Sequence, residues 1–576
     1  LSLQTSPIQN KAKQSGTYVP ELVSRLLKSR GYLDQEDQLK FLNPSLKNIK
    51  SPFSLNGMDL GVVRLINALK SGEGVGIYCD YDLDGSSAAA ILFDACNNLG
   101  FKQVEIYQPR RLSEGYGFHT AGVDFFKEKG VSLIVTVDVG ITAHETCLYA
   151  KEQGLDVIVT DHHLPDETLP EALTVINPNT KECKAGLGHL CGAGVAFYLV
   201  YALVKYMKDH RQEIPSAFKM EALLDFFVIG TLTDMVPLKD ENRVLVKAGL
   251  RWFTNTKRPG LLALKARNDI LGKQINSSDI GFKIAPKLNS LSRLDTDLRP
   301  TAILIEKDRE TAEKLVTEAF SINEKRVASL EEGLNEALDF FKENEPEDLC
   351  FYISDKIHPG VMGLIATRVV EEYGLPAFIG SVLEGKGQVV GSARLPANTG
   401  LSLKEMMSFC PSLLQFGGHA EAAGFELSGD RKDQFKNELK LYLEDCSSKL
   451  EGSLWIPKYD CEVYLDELDR EFLVWLKHLE PFGVGFEQPC FKVADLEIAS
   501  VRKLKDKHYK IMVSDKKGHT FEVMWFSPPK DHEVVLMIEA KSYVNFKFNF
   551  YVNPQINFFR KVESLQLLMK DVESAI

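Results

Sequence analysis

From residue 74 onward the chain repeats one unit, a short apolar run followed by a stretch with helical periodicity. The runs are GVGIYC, VEIYQP, LIVTV, DVIVT and LTVIN, and the stretches between them include Ser86 to Leu99 and Ala143 to Gly154. Runs of four to six apolar residues suit strands covered on both faces, and helices of this length suit the crossovers that parallel strands require. The expected fold is therefore α/β, with a doubly wound parallel sheet. In such sheets ligands gather beyond the carboxyl ends of the strands. Three of the runs end at an acidic residue, Asp80, Asp138 and Asp161, where this fold places an active site.

At 576 residues the chain is too long for one core, and about 150 residues per domain predicts three or four domains. The segment 299–346 is rich in Glu, Lys, Ala and Leu, with Leu315, Ala319 and Ile322 at helical spacing, and is expected to form connecting helices that end in a long one. A smaller α/β domain is expected over 347–450, from the strand-like FYIS, the helical Gly360 to Tyr373 and the glycine-rich GGHAEAAGFEL. After Trp455 the pattern changes to short alternating strands, HYKIMVSD, FEVMWF and YVNFKFNFYV, predicting a β-barrel over 451–576. Residues 51–298 are then the catalytic domain, with 1–50 expected to pack on it.

No apolar run reaches the roughly 18 residues of a membrane span, and the polar start LSLQTSPIQNKAKQSGTY lacks a secretory core; a cytoplasmic protein without membrane contact is expected. The ten cysteines form no CxxC pair, which argues for buried thiols over zinc or redox chemistry. A net charge of -12 means that any contact with a polyanion must rely on local basic patches or bound cations.

Asp80, Asp82 and Asp84 place three carboxylates within five residues, DYDLDG, at a strand end. Like charges so close repel unless a cation neutralises them; the alternatives are a solvated acidic loop or an Asp capping the helix that starts near Ser86. Asp138 and the Asp161-His162-His163 run come to the same sheet edge. Mixed Asp and His ligands suit manganese or a similar metal better than calcium, although a His pair taken alone is more often structural. Asp234, in TLTDMVPL, follows the apolar stretch Leu223 to Ile229, and on its own segment reads as a helix-terminal polar residue near Pro237.

The ordered set DYDLDG, TVDVG, TDHH and TLTDMVPL resembles the four motifs of the DHH phosphoesterase superfamily, and within it the RecJ family of single-strand-specific exonucleases. RRLSEGYGF, INPN, HLCGAGVAF, IAPKLNSLSRL, HPGVMGLIATRV, GSAR, FGGHAEAAGF and PFGVGF extend the resemblance from about residue 25 to the C-terminus. It implies two divalent cations, Mn²⁺ or Mg²⁺, one held by Asp80 or Asp82 with Asp138, the other by Asp84, Asp138, His162 and Asp234, with His163 facing the scissile phosphate. It further implies a 5′-phosphate pocket of Arg111, Arg293, Ser392 and Arg394, with His358 near the same strand. A substrate-gripping DHH-associated domain would carry Gly417, Gly418 and His419. The barrel would be an OB fold contacting single-stranded DNA through Arg502, Lys503, Lys505, Lys507 and Lys510, with Tyr509 nearby; a solvated hairpin face is the alternative.

The activity so implied is 5′-to-3′ degradation of single-stranded DNA to 5′-mononucleotides, in recombination and repair, by a monomer that works beside single-strand-binding protein and a RecQ-type helicase. Two positions depart from the family pattern: Ser292 stands where Gly usually precedes Arg, and Phe486 where Asn usually follows PFGVG. The rival readings are a DHH phosphodiesterase acting on short oligonucleotides or cyclic dinucleotides, which lacks the C-terminal extension, and an inactive DNA-binding replication scaffold, which lacks metal ligands.

Overall fold

A computed structural model describes residues 18–383, 385, 387–396, 399–446, 459–505, 507–529, 532–559 and 562–575. The expected domain boundary at 450/451, Trp455 and nearly all of the polar start lie outside them. The described residues form two compact units, one from within 50–236 and 248–454, the other from within 1–49, 237–247 and 455–576.

In the first unit all five apolar runs are strands: β1 (Gly74–Cys79), β2 (Gln103–Tyr107), β3 (Val131–Val137), β4 (Asp156–Thr160) and β5 (Thr174–Ile176). They pair in parallel in the order β2-β1-β3-β4-β5. The winding direction reverses between β1 and β3, which opens a crevice at their carboxyl ends. β1 is buried along its whole length, as a run without polar alternation requires. Behind it the helix Leu83–Leu99 packs on Gly192–Asp209 and Leu224–Thr233. The last of these is apolar around its circumference and buried from Leu224 to Thr231. Its one buried acid, Asp225, is met by Arg258 at 3.1 Å and by the Thr256 hydroxyl at 2.9 Å.

The expected connecting helices are Pro300–Ile305 and the 35-residue Arg309–Glu343, whose first turn is capped by Asp308 through the Thr311 N–H. One end of the long helix packs on the helices Pro259–Arg267 and Ala285–Arg293, the other on Met362–Tyr373. The smaller sheet comprises β6 (Cys350–Ser354), β7 (Ala377–Leu383), β8 (Gln388–Arg394), β9 (Leu413–Gly418) and β10 (Ala422–Ser428). Its order is β6-β7-β8-β10-β9, antiparallel except for β6 with β7.

The second unit contains β11 (Cys461–Glu462), β12 (Phe491–Leu504), β13 (His508–Ser514), β14 (Thr520–Phe526), β15 (Lys547–Phe559) and β16 (Val562–Ser574). β12 pairs with β13 on one side and β15 on the other, which closes the sheet into a barrel. The N-terminal helices Glu21–Ser29 and Gln35–Leu42 bury Leu22, Leu26, Leu27, Phe41 and Leu42 in the same core as the barrel. Their core partner is thus the barrel unit, where the sequence pattern suggested the catalytic domain. The amphipathic face of Glu21–Ser29 signals that a partner exists but does not say which. Arg30 pairs with Asp460 at 2.7 Å. Buried Arg243 donates to the carbonyls of Leu479 and Pro481 at 2.6 and 3.1 Å and lies 3.6 Å above the Phe41 ring. Phe486, one of the two departures from the family pattern, is buried between Phe41 and Phe482; at this position the side chain serves packing. Among the described residues no helix is long and apolar enough to cross a membrane.

Candidate metal centre and phosphate pocket

Each predicted ligand is placed by a strand or helix end. Asp80 directly follows β1 and Asp138 directly follows β3, on the two sides of the crevice. Asp138 adopts a left-handed backbone, φ 63°, held by its N–H bond to the Thr160 carbonyl at 3.0 Å. Such a conformation is uncommon outside glycine and is kept where the surroundings over-determine it. Asp82 caps the helix Leu83–Leu99, its Oδ1 accepting from the N–H groups of Asp84 and Gly85 at 2.9 and 3.0 Å. The capping alternative is therefore realised, one turn earlier than Ser86, and commits one oxygen of Asp82. Asp84 is buried, and its two oxygens accept from Gly192 N–H at 2.6 Å and Ala193 N–H at 3.0 Å. The positive end of the helix Gly192–Asp209 thus grips the carboxylate. Asp234 is the C-cap of Leu224–Thr233, so it is a helix-terminal residue that also faces the cluster.

These side chains converge. The ligand atoms of Asp80, Asp82 and Asp138 lie within 4.8 Å of one another, and so do those of Asp84, His162 and Asp234. His162 Nε2 stands 3.2 Å from Asp138 Oδ1, 3.6 Å from Asp234 Oδ2 and 3.9 Å from Asp84 Oδ2. None of these approaches has hydrogen-bonding geometry: Asp80 Oδ1, Asp138 Oδ1, His162 Nε2 and Asp234 Oδ2 are all buried without a partner. Buried polar atoms are rarely orphaned unless an ion or water completes them.

The electrostatics agree. Burial, then Asp82, raises the Asp80 carboxyl well above its ordinary range. Burial and the same neighbour push Asp84 up to about 6. Burial, then Asp84 and Asp82, raises Asp138 well above its usual value and Asp234 to about 9. Burial, then His163, lowers His162 to about 4, leaving a neutral imidazole suited to a metal. These carboxylates ionise together only when positive charge is brought among them. The donor set, mixed carboxylate and imidazole, suits Mn²⁺ or a similar first-row metal.

His163 is held differently. Its Nδ1 lies 2.7 Å from Asp161 Oδ1 and 3.2 Å from the Tyr116 hydroxyl. Burial opposes its charge, but Asp161 overrides this and pushes the imidazole up to about 9. Fully buried Asp161 also accepts from the N–H groups of Ile141, His162 and His163.

Arg111, Arg293, Ser392, Arg394, Gly417 and Gly418 line one cavity of about 290 Å³. Arg394 Nη1 donates to Ser392 Oγ at 2.9 Å; Arg293 reaches the Gly360 carbonyl at 3.4 Å; Arg111 lies 5.1 Å above the Tyr81 ring. None of these arginines has a carboxylate partner among the described residues. Burial, then Arg111, Arg326 and Arg394, lowers Arg293 to about 10. Gly418 ends β9 at φ 141°, where a Cβ would fall 2.4 Å from the Ala422 carbonyl, so the GGH segment is both a tight turn and a cavity wall. His419 bonds back to Ala422 through its N–H at 2.8 Å, and its charge contributes to lowering His162. His358 caps the turn Pro359–Val361, whose Pro359 and Gly360 line the cavity.

In the barrel unit Lys505 and Lys507 flank the turn between β12 and β13 and are exposed. Lys503 is paired with Glu539 at 2.7 Å and Lys510 with Glu522 at 2.6 Å. Tyr509 belongs to the barrel core and offers no free stacking face.

Sequence reading overlooked several supporting residues. Gln108 donates to the Asp80 carbonyl at 3.0 Å and to Ser86 Oγ at 2.7 Å. Asn177 and Asn179, of INPN, hold the carbonyls of His163 and His162. Gly85, Gly192 and Gly230 each abut an aspartate so closely that a Cβ would fall within 2.8 Å of it. Asn177 directly follows the fifth strand, and the position of INPN at that strand end was a usable signal.

A parallel sheet with acids and histidines at its switch point, followed by a second α/β domain, defines a metal-dependent phosphoesterase of the DHH type. Residues 74–231 match the DHH family N-terminal domain, 348–445 the DHHA1 domain and 459–571 the RecJ OB domain. The single-stranded-DNA-specific exonuclease RecJ of Salmonella typhimurium (strain LT2) is 32% identical over 515 residues, 86% of this chain and 87% of that protein. RecJ of Bacillus subtilis (strain 168) is 32% identical over 503 residues; the match covers 86% of this chain and 62% of that longer protein. The crystal structure of Thermus thermophilus RecJ in complex with Mn²⁺ superposes with a TM-score of 0.78 at 26% identity, covering 100% of this chain and 79% of that one. The chain belongs to the RecJ family.

Proposed function

We propose that this chain is a single-stranded-DNA-specific exonuclease that hydrolyses phosphodiesters with two divalent cations, Mn²⁺ or Mg²⁺, and starts from a 5′ phosphate. The observation that carries the reading is the set of buried, unpartnered ligand atoms on Asp80, Asp138, His162 and Asp234. Asp80 or Asp82 with Asp138 would hold one cation, and Asp84, Asp138, His162 and Asp234 the other, with Asp138 shared. Two such ions supply activation of water and stabilisation of both the attacking and leaving oxygens of an in-line displacement.

The protein's own groups do the rest. His163, kept protonated by Asp161, presents a cation toward the scissile phosphate. Arg111, Arg293 and Arg394 receive the terminal phosphate, for which guanidinium forks are well shaped. The 5′-to-3′ direction of cutting is what the family resemblance implies, and a terminal-phosphate pocket is compatible with it. Exposed Lys505 and Lys507 on the barrel would meet the backbone of the incoming strand. The presence of a RecJ OB domain favours a long single strand over a dinucleotide, in keeping with a role in recombination and repair.

The test gives the protein, with Mn²⁺ or Mg²⁺, single strands labelled at either end alongside duplex controls. Mononucleotide release from the 5′ end of single strands alone is expected. An equal rate on blunt duplex, or full activity after Asp138→Ala, overturns the reading.

A further inference from the structure

The metal centre depends on how a two-residue turn, His162-His163, is oriented, and every backbone polar group of that turn is claimed by a side chain. Asp161 Oδ1 accepts both N–H groups, at 2.7 and 3.1 Å. Asn179 Nδ2 donates to the His162 carbonyl at 2.5 Å, and Asn177 Nδ2 to the His163 carbonyl at 2.9 Å. The two amides are themselves ordered: Asn177 Oδ1 accepts the Asn179 N–H at 2.7 Å, and Asn177 is 1% exposed. Gly188 makes room for the second amide, since a Cβ there would fall 2.4 Å from Asn179 Oδ1. A carbonyl in a turn can usually be left to water, so two dedicated donors on adjacent carbonyls fix more than stability needs. What they fix is the peptide plane, and with it the direction of the His162 ring, whose Nε2 enters the cluster with no hydrogen bond of its own.

The geometry points to Asn177 and Asn179 as positioning residues. Asn179 aims His162 at the cation shared with Asp84 and Asp234, and Asn177 aims His163 at the reacting phosphate. Neither amide touches a ligand atom of the cluster; each acts through the backbone of the histidine it holds. This rests on the two-cation reading above. Outer partners that orient metal ligands typically contribute about 10- to 100-fold in metal affinity or activity.

The experiment compares Asn179→Asp and Asn177→Asp with the parent, since Asp keeps the size and the acceptor but removes the donor. Mn²⁺ titration by calorimetry and electron spin resonance is read beside thermal denaturation and steady-state kinetics. If the parent binds fewer than two Mn²⁺, the two-cation reading fails. If it binds two, Asn179→Asp is expected to weaken one equivalent at least about tenfold and leave the other unchanged, with kcat partly restored at high Mn²⁺. Asn177→Asp is expected to bind both ions normally while kcat falls and KM stays put. Both ions bound as in the parent by Asn179→Asp, or both weakened equally, overturns the proposal for Asn179. A normal kcat in Asn177→Asp overturns it for Asn177. Should either Asp variant fail to fold, Asn179→Ala and Asn177→Ala remove the donor without adding a charge; parent-like ion affinity and kcat in those variants also overturn it.

Discussion

Gly192→Ala tests the centre by steric force alone, because a methyl group there has no free space. A β-carbon on Gly192 falls 2.4 Å from Asp138 Cβ and 2.5 Å from both Cγ and Oδ1, whereas carbon atoms settle about 3.5–4.0 Å apart. The deficit is about 1 Å, and neither side yields easily. Asp138 is in a left-handed conformation with its N–H tied to Thr160, and the Gly192 N–H itself holds Asp84 at 2.6 Å. Whichever gives way, one of two carboxylates of the centre moves by about 1 Å, a displacement that costs on the order of 100-fold in rate.

Stability changes less. Overpacking loses about 1–3 kcal/mol, so the melting temperature falls by a few degrees. The assay is mononucleotide release from a 5′-phosphorylated strand at saturating Mn²⁺, read beside thermal denaturation. Gly194→Ala is the control: on the same helix the three atoms nearest its Cβ all belong to the Leu190 side chain, the first at 3.1 Å, and a near-parental rate is expected. A folded Gly192→Ala protein with the parental kcat refutes the argument that this contact sets the place of Asp138.

Arg394→Ala should weaken the preference for 5′-phosphorylated over 5′-hydroxyl strands by at least about tenfold, since a charge-assisted hydrogen bond contributes about 1.5–3 kcal/mol; Mn²⁺ affinity should not move, and an unchanged end preference removes Arg394 from the pocket. Mn²⁺ at about 100 times its dissociation constant should raise unfolding stability by about 2.7 kcal/mol for each ion bound, visible as a higher melting temperature; the same rise in Asp138→Ala would mean that the ions bind elsewhere. Arg243→Ala leaves the Leu479 and Pro481 carbonyls without their donor, at about 1–3 kcal/mol each. Hydrogen-exchange protection should then be lost first in Glu21–Ser29, Gln35–Leu42 and Arg470–Leu479; unaltered protection in these helices counts against the anchoring role.

The sheet was legible because most of its strands are apolar runs and the first three crossovers contain helices, two patterns that local sequence writes directly. Strand order was not. Nothing in GVGIYC says that it pairs with LIVTV on one side and VEIYQP on the other, yet that order makes the crevice between Asp80 and Asp138. Asp234 read as a helix end on its own segment and needed the ordered motifs, because its partners arrive from positions 84 and 162. Tyr509 looked like a stacking residue beside lysines; its alternation phase along β13 sends it inward. The 1–50 segment was expected on the catalytic domain, but the core its helices complete is formed by residues more than 400 positions later, beyond the reach of any periodicity.

The acidic composition posed the harder question: how a chain of net charge -12 holds a polyanion. The answer lies in where the charge is left unpaired. Some surface cations are spent on neighbouring acids, as Lys503 on Glu539 and Lys510 on Glu522. Arg111, Arg293, Arg326 and Arg394 have no carboxylate within 4 Å among the described residues, and burial, then Arg111, Arg326 and Arg394, lowers Arg293, a cost that an entering anion would offset. At the sheet edge the imbalance is reversed, with buried carboxylates that need cations. On the proposed reading, a phosphate end in the first place and metal ions in the second would each relieve a charge imbalance already present. Binding would then be local and oriented, and the negative remainder of the surface would discourage a strand from settling anywhere else.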